Sequence, residues 1–133
     1  MKKLTFLLLL AIPATCLCQS RVNQVIKVPG ITLQQLIRGF LDAGYSIERS
    51  EASMSVIVTH LKEQKLNKVA TKLIAKIKDG NVLLSGEYMI PGKDGIQVPI
   101  TDAGTQGSAC SASWDILQSF AKSFKKPLEF SDQ

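Results

Sequence analysis

Apolar positions along this chain recur at two spacings, one helical and one alternating. Between Ile31 and Tyr45 (ITLQQLIRGFLDAGY), Leu33, Leu36, Ile37, Phe40 and Leu41 fall at i, i+3, i+4, i+7 and i+8, which predicts one amphipathic helix. Thr32 and Gln35 stand as T-x-x-Q, a capping box in which hydroxyl and amide satisfy each other's orphan backbone N–H groups. Ile31 and Leu36 occupy the two positions of a hydrophobic staple. Gly44 sits where a helix ends in the left-handed conformation, with Tyr45 placed to fold back on the last turn.

Alternation predicts the rest. Arg21 to Val28 (RVNQVIKV) has the β-branched content of a strand, ended by Pro29-Gly30. Tyr45 to Ser50 places Tyr45 and Ile47 on one face, and Met54 to His60 forms a further short strand. Glu51-Ala52-Ser53 between them is short enough for a hairpin loop.

Leu66 to Ile77 fits either period. Leu66, Val69, Ala70, Leu73, Ile74 and Ile77 make a helical stripe, yet from Thr71 onward the chain also alternates. Asp79-Gly80 favours the hairpin, because Asp-Gly between alternating runs is a two-residue turn signal. The register then follows: Lys78 faces Asn81, Ile77 meets Val82, Ala75 meets Leu84, Leu73 opposes Gly86, and Lys72 meets Glu87 as an opposite-charge pair. Gly86 inside a strand marks either a bulge or a close approach of another element, for which the helix crossing the sheet is the expected candidate, and Gly39 within that helix is expected to serve the same contact.

Pro91 to Ala109 holds four of the nine glycines and two of the five prolines, with only Ile96 to Ile100 able to form a strand. Loops this long in a compact domain are often functional or mobile. A second helix is expected over roughly Ser111 to Phe124, with Ser111 as N-cap and Asp115 in its first turn. Cys110, Trp114, Leu117, Ala121 and Phe124 make its apolar stripe, Pro127 stops it, and Leu128 to Phe130 adds a last short strand.

At 133 residues the chain is one domain behind a leader. Met1-Lys2-Lys3, the apolar run from Leu4 to Ile12, Pro13 and the small residues after it make a secretory signal peptide over residues 1–18, with residues 19–133 as the mature domain. The apolar run is about half the length of a membrane span, and no transmembrane span is expected in the mature chain. An exported protein, periplasmic or secreted, follows. The alternative route is lipid anchoring at Cys16 or Cys18. Cleavage after Cys18 leaves Cys110 as a lone thiol, read as core filler on its helix stripe. Loss of Lys2 and Lys3 leaves 14 basic against 11 acidic residues, too mild a balance to imply a particular partner.

In its leader and VPG turn, in KIKDGNVLLSGEY and in the closing run ITDAGTQGS…SWDILQSFAKSF, the chain resembles small exported bacterial proteins of unknown function that carry a TATA-binding-protein-like domain. The resemblance implies an α+β fold of order β-α-β-β-β-β-α, with two helices packed on one face of an antiparallel sheet of four to five strands. Its motifs are structural, so it carries over no functional residue and no DNA binding.

Candidate chemistry is sparse. The single histidine, His60, stands without CxxC, HExxH or GxSxG company, and no carboxylate pair marks an acid–base site. The expectation is therefore a non-enzymatic binding or structural domain with no cofactor and no metal, the alternative being an unfamiliar hydrolase or transferase with His60 as base. Lys62, Lys65, Lys68, Lys72, Lys76 and Lys78 are the only charge concentration, and Gly104, Gly107 and Ser108 lead into a helix N-terminus. Lys65, Lys68, Lys72, Lys76, Gly104, Gly107 and Ser108 are thus the candidate anion-binding surface. No aromatic lies between Tyr45 and Tyr88, so base-stacking platforms are missing and no nucleic acid is expected. The partner expected is an envelope or extracellular one, a protein or an anionic glycan.

Overall fold

The computed structural model describes residues 22–51, 53–93 and 95–132; the expected leader, with Cys16 and Cys18, lies outside them. The elements run β1 (Val25–Pro29), α1 (Leu33–Asp42), β2 (Ile47–Glu51), β3 (Val56–Thr59), β4 (Lys62–Gln64), β5 (Val69–Lys78), β6 (Asn81–Met89), β7 (Val98–Pro99), α2 (Ala109–Lys122) and β8 (Glu129–Ser131). The described residues make an α+β fold, with two helices and one antiparallel sheet of eight strands among them, ordered β2-β3-β5-β6-β1-β8, β4 pairing with β5 and β7 with β6. The four to five strands expected are therefore too few. β7 falls within Ile96 to Ile100 and β8 overlaps Leu128 to Phe130, the two short stretches named from the sequence, whereas β4, three residues long, is too short for alternation to mark.

Local chemistry shapes α1 as predicted. The Thr32 Oγ1 accepts from the Gln35 N–H at 3.2 Å and the Gln35 Oε1 accepts from the Thr32 N–H at 3.0 Å. At the other end Gly44 takes φ +83°; its N–H donates to the Leu41 carbonyl and the Tyr45 N–H to the Phe40 carbonyl, both at 2.9 Å, a Schellman end.

The ambiguous middle is a hairpin. Asp79 and Gly80 both take positive φ, at 53° and 75°, so the two-residue turn matches the strand twist. Every cross-strand pair named from the sequence is present, from Lys78 opposite Asn81 to Lys72 opposite Glu87. Odd residues of β5 and even residues of β6 face the helices, and the core forms there: Leu73, Ala75, Val82 and Leu84 meet Ile26, Val28 and Ile57 from the sheet, with Leu36 and Phe40 of α1 and Leu117, Phe120 and Ala121 of α2 above them. Phe40 stacks on Phe120 with ring centroids 4.7 Å apart and planes 8° from parallel. Each fully buried Val, Leu, Ile or Phe side chain among these contributes roughly 1.5–3 kcal/mol by leaving water.

Several expectations are corrected. α2 begins at Ala109 with Ser108 as N-cap, not at Ser111, because the Ser108 Oγ accepts the Ser111 N–H at 3.2 Å. That shift leaves Asp115 beyond the first turn, which holds no acid. Leu33 and Leu41 are 43% and 56% exposed, so the buried stripe of α1 narrows to Leu36 and Phe40. Cys110 is only half-buried; its thiol donates to the Thr101 carbonyl at 3.5 Å. A Cβ on Gly86 would stand 2.9 Å from Ile100 and 2.6 Å from the Lys72 carbonyl, so the element pressed on Gly86 is the segment after β7, not a helix. Gly39 makes a different contact, the crossing of α1 with Phe124 just past α2.

Half of the long loop is pinned. Ile100 is buried and its N–H donates to the Gly86 carbonyl at 2.9 Å. Asp102 then takes both the Asn23 N–H, at 2.8 Å, and the Asn23 side-chain amide, at 2.6 Å, tying the loop to the start of β1.

Candidate functional site

Two helices laid side by side on a sheet leave a furrow between them, and here it opens into a cleft of about 710 Å³. One wall is the α2-facing flank of α1, with Gln35, Arg38 and Asp42; the other is α2, with Asp115, Ile116 and Ser119. The floor is apolar, formed by Gly39, Phe120 and Phe124. The absence of a side chain at Gly39 keeps the helices close, since a Cβ there would sit 2.9 Å from the Phe124 ring. β4 and the turn after it close one end with Lys62, Gln64 and Asn67.

That closed end is tied together by hydrogen bonds. The buried Tyr45 hydroxyl lies 2.8 Å from the Thr71 Oγ1 and accepts from the Gln64 Nε2 at 3.4 Å. Burial raises the Tyr45 pKa above its ordinary 10.0, with the hydrogen bonds to Thr71 and Gln64 pulling the other way, so the ring is a neutral wall. The Lys62 ammonium donates to the Ala43 carbonyl at 2.5 Å, at the negative end of the α1 dipole, and stands 5.1 Å from the Tyr45 ring centroid. Two cations, Arg38 and Lys62, thus balance two carboxylates, Asp42 and Asp115. Such a cleft suits a ligand with amides or hydroxyls and little net charge.

Of the seven residues expected to form an anion surface, Lys68, Gly107 and Ser108 come together and the others do not. Lys72 and Lys76 are even residues of β5 and lie on the sheet face away from the helices. Lys72 is engaged by Glu48 at 3.0 Å, which holds the Glu48 carboxyl below its usual range; the pairing is with β2, not with Glu87 across the hairpin. Lys65 is exposed in the turn between β4 and β5. Lys68 lies in that turn too, and shares a smaller cleft of about 440 Å³ with Gly107 and Ser108. Gly104 packs beneath the first turn of α2: a Cβ on it would lie 2.6 Å from the Ser111 N. The Ser108 hydroxyl already accepts from that N–H, so one of the orphan donors at the helix start is taken by the cap.

His60 is exposed just past β3. Among the described residues no group of three or more His, Cys, Asp or Glu is placed to hold a metal ion, and no helix is long and apolar enough to cross a membrane. Sequence reasoning missed the cleft. Lys62 was visible as a charge and Tyr45 as a cap residue, but their meeting depends on the one-residue bulge before β4. No family model and no curated protein matches the chain.

Proposed function

We propose that this is an exported, non-enzymatic binding domain, acting in the bacterial envelope or outside it, whose ligand seat is the cleft between α1 and α2. The observation that carries the reading is the composition of that cleft: an apolar floor of Phe120 and Phe124 under a polar rim whose two cations and two carboxylates cancel. A peptide segment of a protein partner fits this better than an anionic glycan, because backbone amides match Gln35, Gln64, Asn67 and Ser119 while a polyanion would meet Asp42 and Asp115.

The element order supports the TATA-binding-protein-like kinship. With the short β4, β7 and β8 set aside, the chain reads strand, helix, four strands, helix. The likeness of VPG and KIKDGNVLLSGEY to small exported proteins supports the location.

The test is capture from an envelope fraction with the wild-type protein and a Ser119→Trp variant as paired baits. Ser119 is exposed on the cleft wall, so tryptophan blocks the cleft without disturbing the core. A protein retained by the wild type and lost with the variant supports the cleft; equal retention by both removes it.

A further inference from the structure

Among the described residues β2 ends the sheet, and no strand pairs with its outer side, where backbone donors and acceptors lie open. Beside it runs a second unpartnered surface. Gly39 faces α2 and Leu36 with Phe40 face the sheet, so Leu33, Ile37 and Leu41, four residues apart, fall on the flank of α1 turned away from α2. α2 covers β6, β5 and β1, and Trp114 reaches Phe130 on β8, which places the free flank of α1 toward the β2 edge. Leu33 and Leu41 remain 43% and 56% exposed there.

We infer that this composite surface is a homodimer interface, in which β2 pairs antiparallel with β2 of a second copy about a two-fold axis at Ser50. Charges on an edge strand ordinarily discourage pairing. Here their order makes the strand complementary to itself. Arg49 and Glu51 pair with Val58 and Val56, so both lie on the sheet face away from the helices, and their side chains are 62% and 34% exposed. There the Arg49 Nε stands 3.1 Å from the Glu51 carboxylate of its own strand, an ion pair that dimerisation would exchange for two across the interface. With Ser50 opposite its own copy, Arg49 of each chain faces Glu51 of the other, giving two opposite-charge cross-strand pairs. The same two-fold sets the two α1 helices antiparallel on the other face, with the Leu33–Ile37–Leu41 flanks meeting. An isologous contact of this kind closes after two copies, and it leaves the cleft on the opposite flank of α1 open.

Sedimentation equilibrium across a dilution series tests this, with circular dichroism confirming that each variant is folded. The wild type should be a dimer that dissociates on dilution. Arg49→Glu and Glu51→Arg should each weaken it about tenfold, since each places like charges directly opposite. The double variant Arg49→Glu/Glu51→Arg should restore it, and Leu41→Lys should again weaken it. A protein monomeric at hundreds of micromolar overturns the proposal, as does a dimer indifferent to the charge reversal or to Leu41→Lys.

Discussion

The Thr59 hydroxyl accepts the Leu73 N–H at 2.9 Å, at a point where the sheet ladder is broken. Val58 opposes Ile74 and Lys62 opposes Thr71, four steps along one strand against three along the other, so β3 and β4 are one strand interrupted by a bulge. Thr59 is fully buried, and its side chain supplies the acceptor that the bulge takes away. The same bulge turns Lys62 and Gln64 toward Tyr45 and the cleft.

Thr59→Val keeps the shape and removes the acceptor, leaving a buried N–H unpaired. Chemical denaturation should show a loss of about 1–3 kcal/mol. Thr59→Ser, which retains the oxygen, should lose clearly less.

Gly86→Ala should destabilise by about 1–3 kcal/mol, because the new methyl meets the Lys72 carbonyl as well as Ile100. Trimming Ile100 to Val in the same chain should recover only part of the loss, since the backbone contact stays. Full recovery in thermal melts would place the clash on the side chain alone.

Tyr45 sets an alkaline limit. Its folded pKa is raised above 10.0 chiefly by burial, so the fold favours the neutral phenol. That contribution is complete below the ordinary value and is lost as pH rises through the raised one. Denaturation midpoints should fall above pH 10 in the wild type and fall less in Tyr45→Phe. At neutral pH the same variant should lose about 1 kcal/mol with the Thr71 hydrogen bond.

Phe40→Ala should lose about 3–5 kcal/mol, as the ring is fully buried and stacked on Phe120. A double-mutant cycle with Phe120→Ala should show a coupling of about 0.5–1.5 kcal/mol from the ring pair.

Where a signal is local, the residues carry it. Thr32 with Gln35, Gly44 with Tyr45, and Asp79-Gly80 each act within a few residues of chain, and each works in the structure as its chemistry dictates. The whole β5–β6 register follows from that one turn, because a two-residue loop leaves a single pairing. The helix stripes were less exact. Periodicity assigns Leu33 and Leu41 to the apolar face of α1, but how much of that face is covered depends on how far the sheet extends beneath it.

The chain by itself thus determined the class, the two helices, the central hairpin and its facing residues, since hydrophobic period and turn chemistry are properties of neighbours in sequence. Tertiary structure alone decided the rest. It split the lysines between two faces of the sheet, seated Ile100 on Gly86, inserted the bulge at Thr59, and brought Lys62 over Tyr45 to close a cleft between helices more than sixty residues apart. Those contacts join segments whose separation is set by packing, and no local period encodes them.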